Sequence, residues 1–219
     1  MAKHLKTPIR AKALLFDMDG TLLLSHAVVD RVWRRWANRH GLDADVILKD
    51  AHGRRLIDTM REVCPPGLSV EEEAARLDLE EREDTDGIVA IGGALEFLRA
   101  LPADRWAIVT SADARLAAIR LGAAGISMPP VRITAEDVKS GKPDPEGYRE
   151  GARRLGFDPT DCVVFEDAPA GIAAGHAAGA EVVVVASLLK PQALGDAHWI
   201  TDYRDVSVRM DDEGWLIIE

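Results

Sequence analysis

The chain predicts an α/β fold: a doubly wound parallel sheet, an all-helical cap inserted after its first long strand, and a C-terminal β-hairpin. Three observations carry that prediction. Strand-length apolar runs alternate with helical patterns from residue 94 onward, which argues for a parallel sheet with helices on both faces. Roughly 65 residues of helical pattern separate the first such run from the next one. The last residues, Val206 to Met210 and Trp215 to Ile218 around Asp211 to Gly214, read as two short strands about a turn.

Taken in order, Lys12 to Phe16 is the first buried strand and ends at Asp17-Met18-Asp19-Gly20-Thr21. Val28, Val29, Val32, Trp33 and Trp36 then form a helical stripe that stops near Gly41. The two tryptophans are expected in the core of the cap rather than as a substrate platform. Residues 47–63 give one or two further helices around His52-Gly53. Ser69 with Glu72 three positions on marks the start of an acidic helix to Asp84, whose glutamate clusters at 71–73 and 80–81 are expected to face solvent. Gly92-Gly93 opens a helix carrying Leu95, Leu98 and Leu101, ended by Pro102. Trp106 to Val109 is a strand closing at Thr110-Ser111, and Val131 to Thr134 is a short one. Asp144-Pro145 starts a helix running toward Gly156. Asp161 to Phe165 is a buried strand ending at Glu166-Asp167. An alanine-rich helix with Gly171, Gly175 and Gly179 at i+4 spacing follows, then a strand over Glu181 to Val185. Residues 1–23 and 92–219 therefore make the core, and 24–91 the cap.

With 219 residues and a hydrophobic fraction of 47%, the chain can hold one sizeable core and a small insertion. No apolar stretch approaches the roughly 20 residues of a membrane span. The charged start of the chain lacks an apolar signal-peptide core. The two cysteines have no CxxC spacing, Cys162 reading as a core residue and Cys64 as a loop residue. A reducing, cytoplasmic location is the expectation. The net charge of −10 opposes nucleic-acid binding, which needs basic surface. A small ligand, no membrane partner and a monomer are expected.

In a doubly wound sheet, ligands sit outside the carboxyl ends of the strands, and here four polar groups converge there: Asp17/Asp19, Thr110/Ser111, Lys142 and Glu166/Asp167. Two carboxylates closing a buried strand are costly to desolvate unless a cation offsets them. Asp17, Asp19, Glu166 and Asp167 are hard oxygen donors suited to Mg²⁺. Lys142 supplies a point charge and Thr110 a hydroxyl for a phosphate dianion, while Ser111 offers either its hydroxyl or its backbone N–H. Asp17 can then attack phosphorus as nucleophile, with Asp19 as general acid and base. A calcium loop is excluded, because Thr21 and Leu22 stand where that pattern needs a ligand and a glycine. Met18 is expected in the core. His4, His26, His40, His176 and His198 are expected at the surface or at helix ends, and Arg55 in solvent.

Asp17 to Thr21, Thr110, Lys142 and Glu166-Asp167, in that order, resemble the four motifs of the haloacid dehalogenase-like hydrolases. The segments Val131 to Pro145 and Val163 to Gly171 resemble its branch of sugar, hexitol and glycerol-phosphate phosphatases. The resemblance implies a Rossmann-like core, a helical cap that chooses the leaving group, Mg²⁺ as cofactor, and a cap loop, His52-Gly53-Arg54, that contacts substrate. Many relatives continue the first motif as Asp-Gly-Thr-Leu-Val-Asp-Ser, whereas Leu24 stands here in place of the last carboxylate. The expected activity is hydrolysis of small sugar or polyol phosphate monoesters through an aspartyl phosphate. Its alternatives are a phosphomutase of the β-phosphoglucomutase type, a phosphoglycolate-type phosphatase, and a non-catalytic phosphate- or metal-binding regulator.

Overall fold

The computed structural model describes residues 3–5 and 8–219. Met1, Ala2, Lys6 and Thr7, within the charged start of the chain, lie outside the described residues. Three short strands open the chain: β1 (Lys3–His4), β2 (Ile9–Ala11) and β3 (Ala13–Phe16). After β4 (Leu23–Leu24) come four helices, α1 (His26–His40), α2 (Ala44–Ala51), α3 (Leu56–Val63) and α4 (Val70–Glu83). The chain returns through β5 (Val89–Ala90), α5 (Ala94–Ala100), β6 (Trp106–Val109), α6 (Ala114–Ala123), β7 (Arg132–Ile133) and α7 (Glu146–Leu155). It ends with β8 (Cys162–Glu166), α8 (Pro169–Ala178), β9 (Glu181–Val185), β10 (His198–Ile200), β11 (Val208–Met210) and β12 (Leu216–Ile218).

The main sheet runs β1-β10-β9-β8-β3-β6-β7, with six strands parallel and β1 antiparallel at one edge. Both faces are buried, and the pleat sorts alternate residues into two layers. Leu14, Phe16, Ile108, Val163, Phe165 and Val183 face one layer; Ala13, Leu15, Ala107, Val164 and Val182 face the other. Phe97 of α5 and Leu116 and Leu121 of α6 cover the first layer, and Tyr148 of α7 and Ala174 of α8 the second. Phe16 stacks on Phe165 at 4.9 Å, with Phe97 and Trp106 set edge-on to it. Aromatic pairs of this kind contribute about 0.5–1.5 kcal/mol each beyond their buried area. Gly175 lets α8 lie close: a Cβ there would stand 2.9 Å from Val182.

β11 and β12 form the expected hairpin, and β2 joins it to make a three-stranded antiparallel sheet. β4 and β5 pair antiparallel, Leu23 with Ala90 and Leu24 with Val89, so the chain leaves for α1–α4 and returns at one point. Gly41 in the left-handed region ends α1, and Ser69 caps α4 by accepting from the Glu72 N–H. Trp33, Trp36 and Met18 are buried, as expected.

The solvent-facing reading of the α4 glutamates is corrected. Glu71 and Glu72 are exposed, but Glu73 and Glu81 are buried. Glu73 accepts from the Trp36 Nε1–H at 2.8 Å and lies 3.1 Å from His40 Nε2, whereas Glu81 accepts from Arg120 at 3.0 Å. A buried carboxylate is tolerable where charged or N–H partners satisfy it, and those partners lie 37 residues away in one case and 39 in the other. Among the described residues no helix is long and apolar enough to cross a membrane.

Candidate active site

The register of the sheet builds the site. Phe16 pairs with Phe165 and with Ile108, so Asp17 follows β3 beside Glu166 at the end of β8, with Val109 and Thr110 on the other side. Lys142, in the turn before α7, inserts its ammonium between the carboxylates, 2.5 Å from Asp17 Oδ1 and 2.7 Å from Glu166 Oε1. Tyr148 on α7 donates to the same Glu166 oxygen at 3.0 Å, while Glu166 Oε2 accepts the N–H groups of Asp167 and Ala168. Both Glu166 oxygens are thus engaged, and the carboxylate acts as an anchor for the lysine. α8 must pass close to it, and a Cβ at Gly171 would fall inside that carboxylate.

Asp17, Glu166 and Asp167 each offer an oxygen, all within 4.8 Å of one another, and all three residues are buried. Burial pushes the Asp17 carboxyl well above the usual carboxylate range, with Glu166 and Asp167 adding to the rise and Lys142 opposing it. Asp167 is raised for the same leading reason. Burial pulls on Lys142 in the opposite sense, yet Asp17 and Glu166 outweigh it and keep the ammonium charged. Three carboxylates face one lysine, and Asp17 Oδ2 is buried with no hydrogen-bond partner. An all-oxygen set with excess negative charge and an unsatisfied oxygen fits a hard divalent cation.

Asp19 is not in that cluster of ligand atoms. Its Oδ1 accepts from Ser25 Oγ at 2.6 Å and its Oδ2 pairs with Arg120 at 3.0 Å, which holds the side chain at the wall of the adjoining cavity. The turn that follows Asp19 is held by Tyr203, whose hydroxyl donates to the Thr21 carbonyl at 3.0 Å. Asp167 is held at Oδ2 by Ser187 at 3.1 Å and His26 Nε2 at 3.0 Å. Gly20, at φ 80°, leaves room for that contact, since a Cβ there would collide with Asp167 and His26.

A cavity of about 310 Å³ opens from Asp17 and Asp19 between the sheet and the four inserted helices. Thr110 and Ser111 line it, as do His52, Gly53 and Arg54, so the predicted core and loop residues share one space. Thr110 Oγ1 accepts from the Ala112 N–H at 3.1 Å, which leaves its O–H free to donate. Ser111 Oγ donates instead to the Gly53 carbonyl at 2.8 Å, tying the inserted helices to the core. Gly53 has φ 76° and presses on the residue before α8, since a Cβ there would stand 2.5 Å from that of Ala168. Arg54 makes a two-pronged contact with Glu62, at 2.9 and 2.5 Å, and His52 lies 3.3 Å from Asp30.

Two sequence expectations change here. Arg55 is not in solvent: it reaches Asp58 at 2.6 Å and the Lys139 carbonyl at 3.2 Å, bridging α3 to the turn that carries Lys142. His26 begins a helix, as expected, but it faces Asp167 rather than the surface. Ser25, Tyr148, Arg120 and Ser187 have no role in the sequence reading, and Glu81 has only a solvent-facing one. Ser25 stands beside the first motif and Tyr148 on a helical stripe; the other three carry no local signal.

The comparisons agree with this geometry. The family model of haloacid dehalogenase-like hydrolases matches residues 11–179. Hexitol phosphatase A of Escherichia coli is 38% identical over 216 residues, covering 96% of this chain and all of that protein. Glycerol-1-phosphate phosphohydrolase 2 of Saccharomyces cerevisiae is 36% identical over 191 residues, 82% of this chain and 76% of its own length. Among solved structures, an Entamoeba histolytica HAD hydrolase of family IA, variant 3, superposes with a TM-score of 0.76 at 23% identity, over 89% of this chain and 95% of that one. A parallel sheet with its acidic strand ends, a buried lysine and a match over most of the chain place this protein among the haloacid dehalogenase-like hydrolases.

Proposed function

We propose that this chain is a Mg²⁺-dependent phosphatase that hydrolyses small sugar or polyol phosphate monoesters through an aspartyl phosphate on Asp17. The observation that carries this reading is the buried Asp17 carboxylate, gripped on one oxygen by Lys142 and unsatisfied on the other, at the floor of the cavity. Asp17 and Asp167 are the proposed side-chain ligands of Mg²⁺. Glu166 lies in the same cluster and Asp19 adjoins it, completing the acidic surroundings. Bound there, Mg²⁺ would offset charge on the phosphoryl oxygens and let an anionic nucleophile approach an anionic ester.

The residues divide the rest of the work. Lys142 and the Thr110 hydroxyl bind phosphoryl oxygens, with the backbone at Ser111 beside them. Asp17 attacks phosphorus as the ester P–O bond breaks, and Asp19 gives a proton to the departing alkoxide. Water then attacks the aspartyl phosphate while Asp19 takes its proton, freeing Asp17 and inorganic phosphate. His52, Gly53 and Arg54 belong to the leaving-group end of the cavity. Residues 24–91 act as the cap and 1–23 with 92–219 as the core, a division supported by the paired exit and return strands β4 and β5.

A polyol or sugar leaving group suits this cavity better than a second anion. Its arginines are already ion-paired, Arg54 with Glu62, Arg55 with Asp58 and Arg120 with Asp19 and Glu81. Asp78 and Asp113 add further carboxylates to the lining. A carboxylate-bearing ester such as phosphoglycolate would therefore meet negative charge with no spare cation, whereas hydroxyl groups can donate to it. The relatives named for hexitol and glycerol-1-phosphate point the same way. The acidic balance of the chain favours a small-molecule partner over nucleic acid, its two unpaired cysteines favour a reducing, cytoplasmic location, and a cap and core carried on one chain suit a monomer.

Phosphate release from hexitol and glycerol phosphates, with and without Mg²⁺, tests the reading. Asp17→Asn should abolish turnover, a loss of about 10⁴-fold or more for a nucleophile acting with its partners as a unit. Full activity in that variant ends the assignment. Transfer of the phosphoryl group to another carbon of the sugar, with none released, would instead make the protein a mutase.

A further inference from the structure

Arg120 is an unusual residue for its place. It lies on α6, among Leu116, Ala117 and Leu121, and is only 4% exposed. One terminal nitrogen pairs with Asp19 Oδ2 and the other with Glu81 Oε2, each at 3.0 Å, and its Nε has no partner. Asp19 belongs to the turn after β3, whereas Glu81 comes from α4 among the inserted helices. The guanidinium therefore links α4 to the Asp19 side chain. Ser25, at the start of α1, holds the other Asp19 oxygen.

A clamp between α4 and α6 exists without it. Arg82 of α4 reaches Asp113, which caps α6, at 2.7 Å, with the charges in the reverse order. Stability alone is a weak reason to bury a second pair beside the first, because the cost of desolvating an arginine and a glutamate cancels much of what their attraction returns. What the inner pair adds is direction. A planar guanidinium presents its N–H groups in a rigid fork, so fixing one end on Glu81 fixes the line along which the other end meets Asp19.

We propose that Arg120 is a positioning residue for Asp19, and that Glu81 makes this positioning conditional on docking of the cap. With the cap docked, the Asp19 carboxyl is held at the cavity wall where an ester oxygen would lie. With the cap away, Arg120 loses its second anchor and Asp19 its defined direction. The inference rests on Asp19 being the general acid, and it extends that reading to two residues outside the four motifs.

The test uses the dependence on leaving group. An alkoxide needs a proton as it departs and p-nitrophenolate does not, and kcat/KM reports the steps up to the aspartyl phosphate. The full-length variants are R120M/E81Q, which removes both charges and so strands no buried carboxylate at Glu81, and R120K, which keeps the charge without the fork. With glycerol phosphate as substrate, R120M/E81Q should lose roughly 30-fold or more in kcat/KM, a large part of the 10²–10⁴ that a whole general acid supplies. With p-nitrophenyl phosphate it should stay within about threefold, and R120K should recover part of the alkyl-ester loss. A loss equal on both esters, or on neither, overturns the proposal and leaves Arg120 a clamp. Asp19→Asn separates the two levels. If it prefers the aryl ester and R120M/E81Q does not, only the positioning role falls; if it shows no preference, the acid assignment falls and the positioning role with it.

Discussion

At the scale of single residues, the site is governed by how closely groups approach. Gly171 has no catalytic atom, yet a Cβ there would occupy the Glu166 carboxylate, which anchors Lys142. Gly171→Ala should push Glu166 off its four contacts, let the ammonium drift from Asp17, and lower kcat by at least tenfold with a smaller change in KM. Overpacking of this kind also costs about 1–3 kcal/mol, visible as a lower Tm. Wild-type kcat in that variant would show that Lys142 does not depend on Glu166. Asp17, Asp19, Lys142 and Asp167 were legible in the sequence because each closes an apolar run or sits beside Gly and Pro, and their order along the chain is specific. Arg120, Glu81 and Ser187 were not. Each is set by a partner dozens of residues away, and a charged residue in a helix reads as solvated unless its partner is known.

The secondary-structure elements show where local pattern suffices. Trp106–Val109 and Glu181–Val185 match their sequence reading end to end, because a strand buried on both faces leaves a continuous apolar run. α6 is not legible as an amphipathic helix, since a buried arginine breaks its apolar stripe. β1, β2, β4, β5 and β10 are two or three residues long and exist through pairing, which no local pattern announces. α4 reads as a helix, but its buried face, with Glu73 and Glu81, does not show in the pattern. Glu73 shows the consequence: the Trp36 N–H, then His40 and Arg76, hold its carboxyl below the usual range against the pull of burial. A group lowered in the fold stabilises it above its unfolded value, near 4.3, and that contribution fades as pH falls through the folded value. Glu73→Gln keeps the Trp36 contact but loses its charge, so about 1–2 kcal/mol should go at pH 7. That corresponds to a Tm lower by roughly 2–8 °C. The gap between variant and wild type should close below about pH 4. A gap that stayed constant from pH 7 to pH 3 would show that the charge of Glu73 contributes nothing.

Taken as a whole, the molecule gathers its most costly charges where the two faces of the sheet, α8 and the inserted helices meet. Lys142 cannot neutralise Asp17, Glu166 and Asp167 alone, and burial raises both aspartates. A protein with such a cluster is less stable without a cation than with one, because any ligand that binds only the folded state stabilises it by mass action. At a Mg²⁺ concentration 100 times its dissociation constant the gain is about 2.7 kcal/mol. For a chain of this size that amounts to a rise in Tm of roughly 5–10 °C over the same protein in EDTA. Asp167→Asn should shrink the Mg²⁺-dependent rise while raising the Tm in EDTA, since it removes one of the repelling carboxylates. The two shifts together distinguish a cation at this cluster from a general effect of salt, which would raise both proteins equally. Equal rises in wild type and Asp167→Asn would place the cation elsewhere and leave the acidic cluster to be stabilised by protonation, with a Tm in EDTA that climbs as the pH is lowered toward 5.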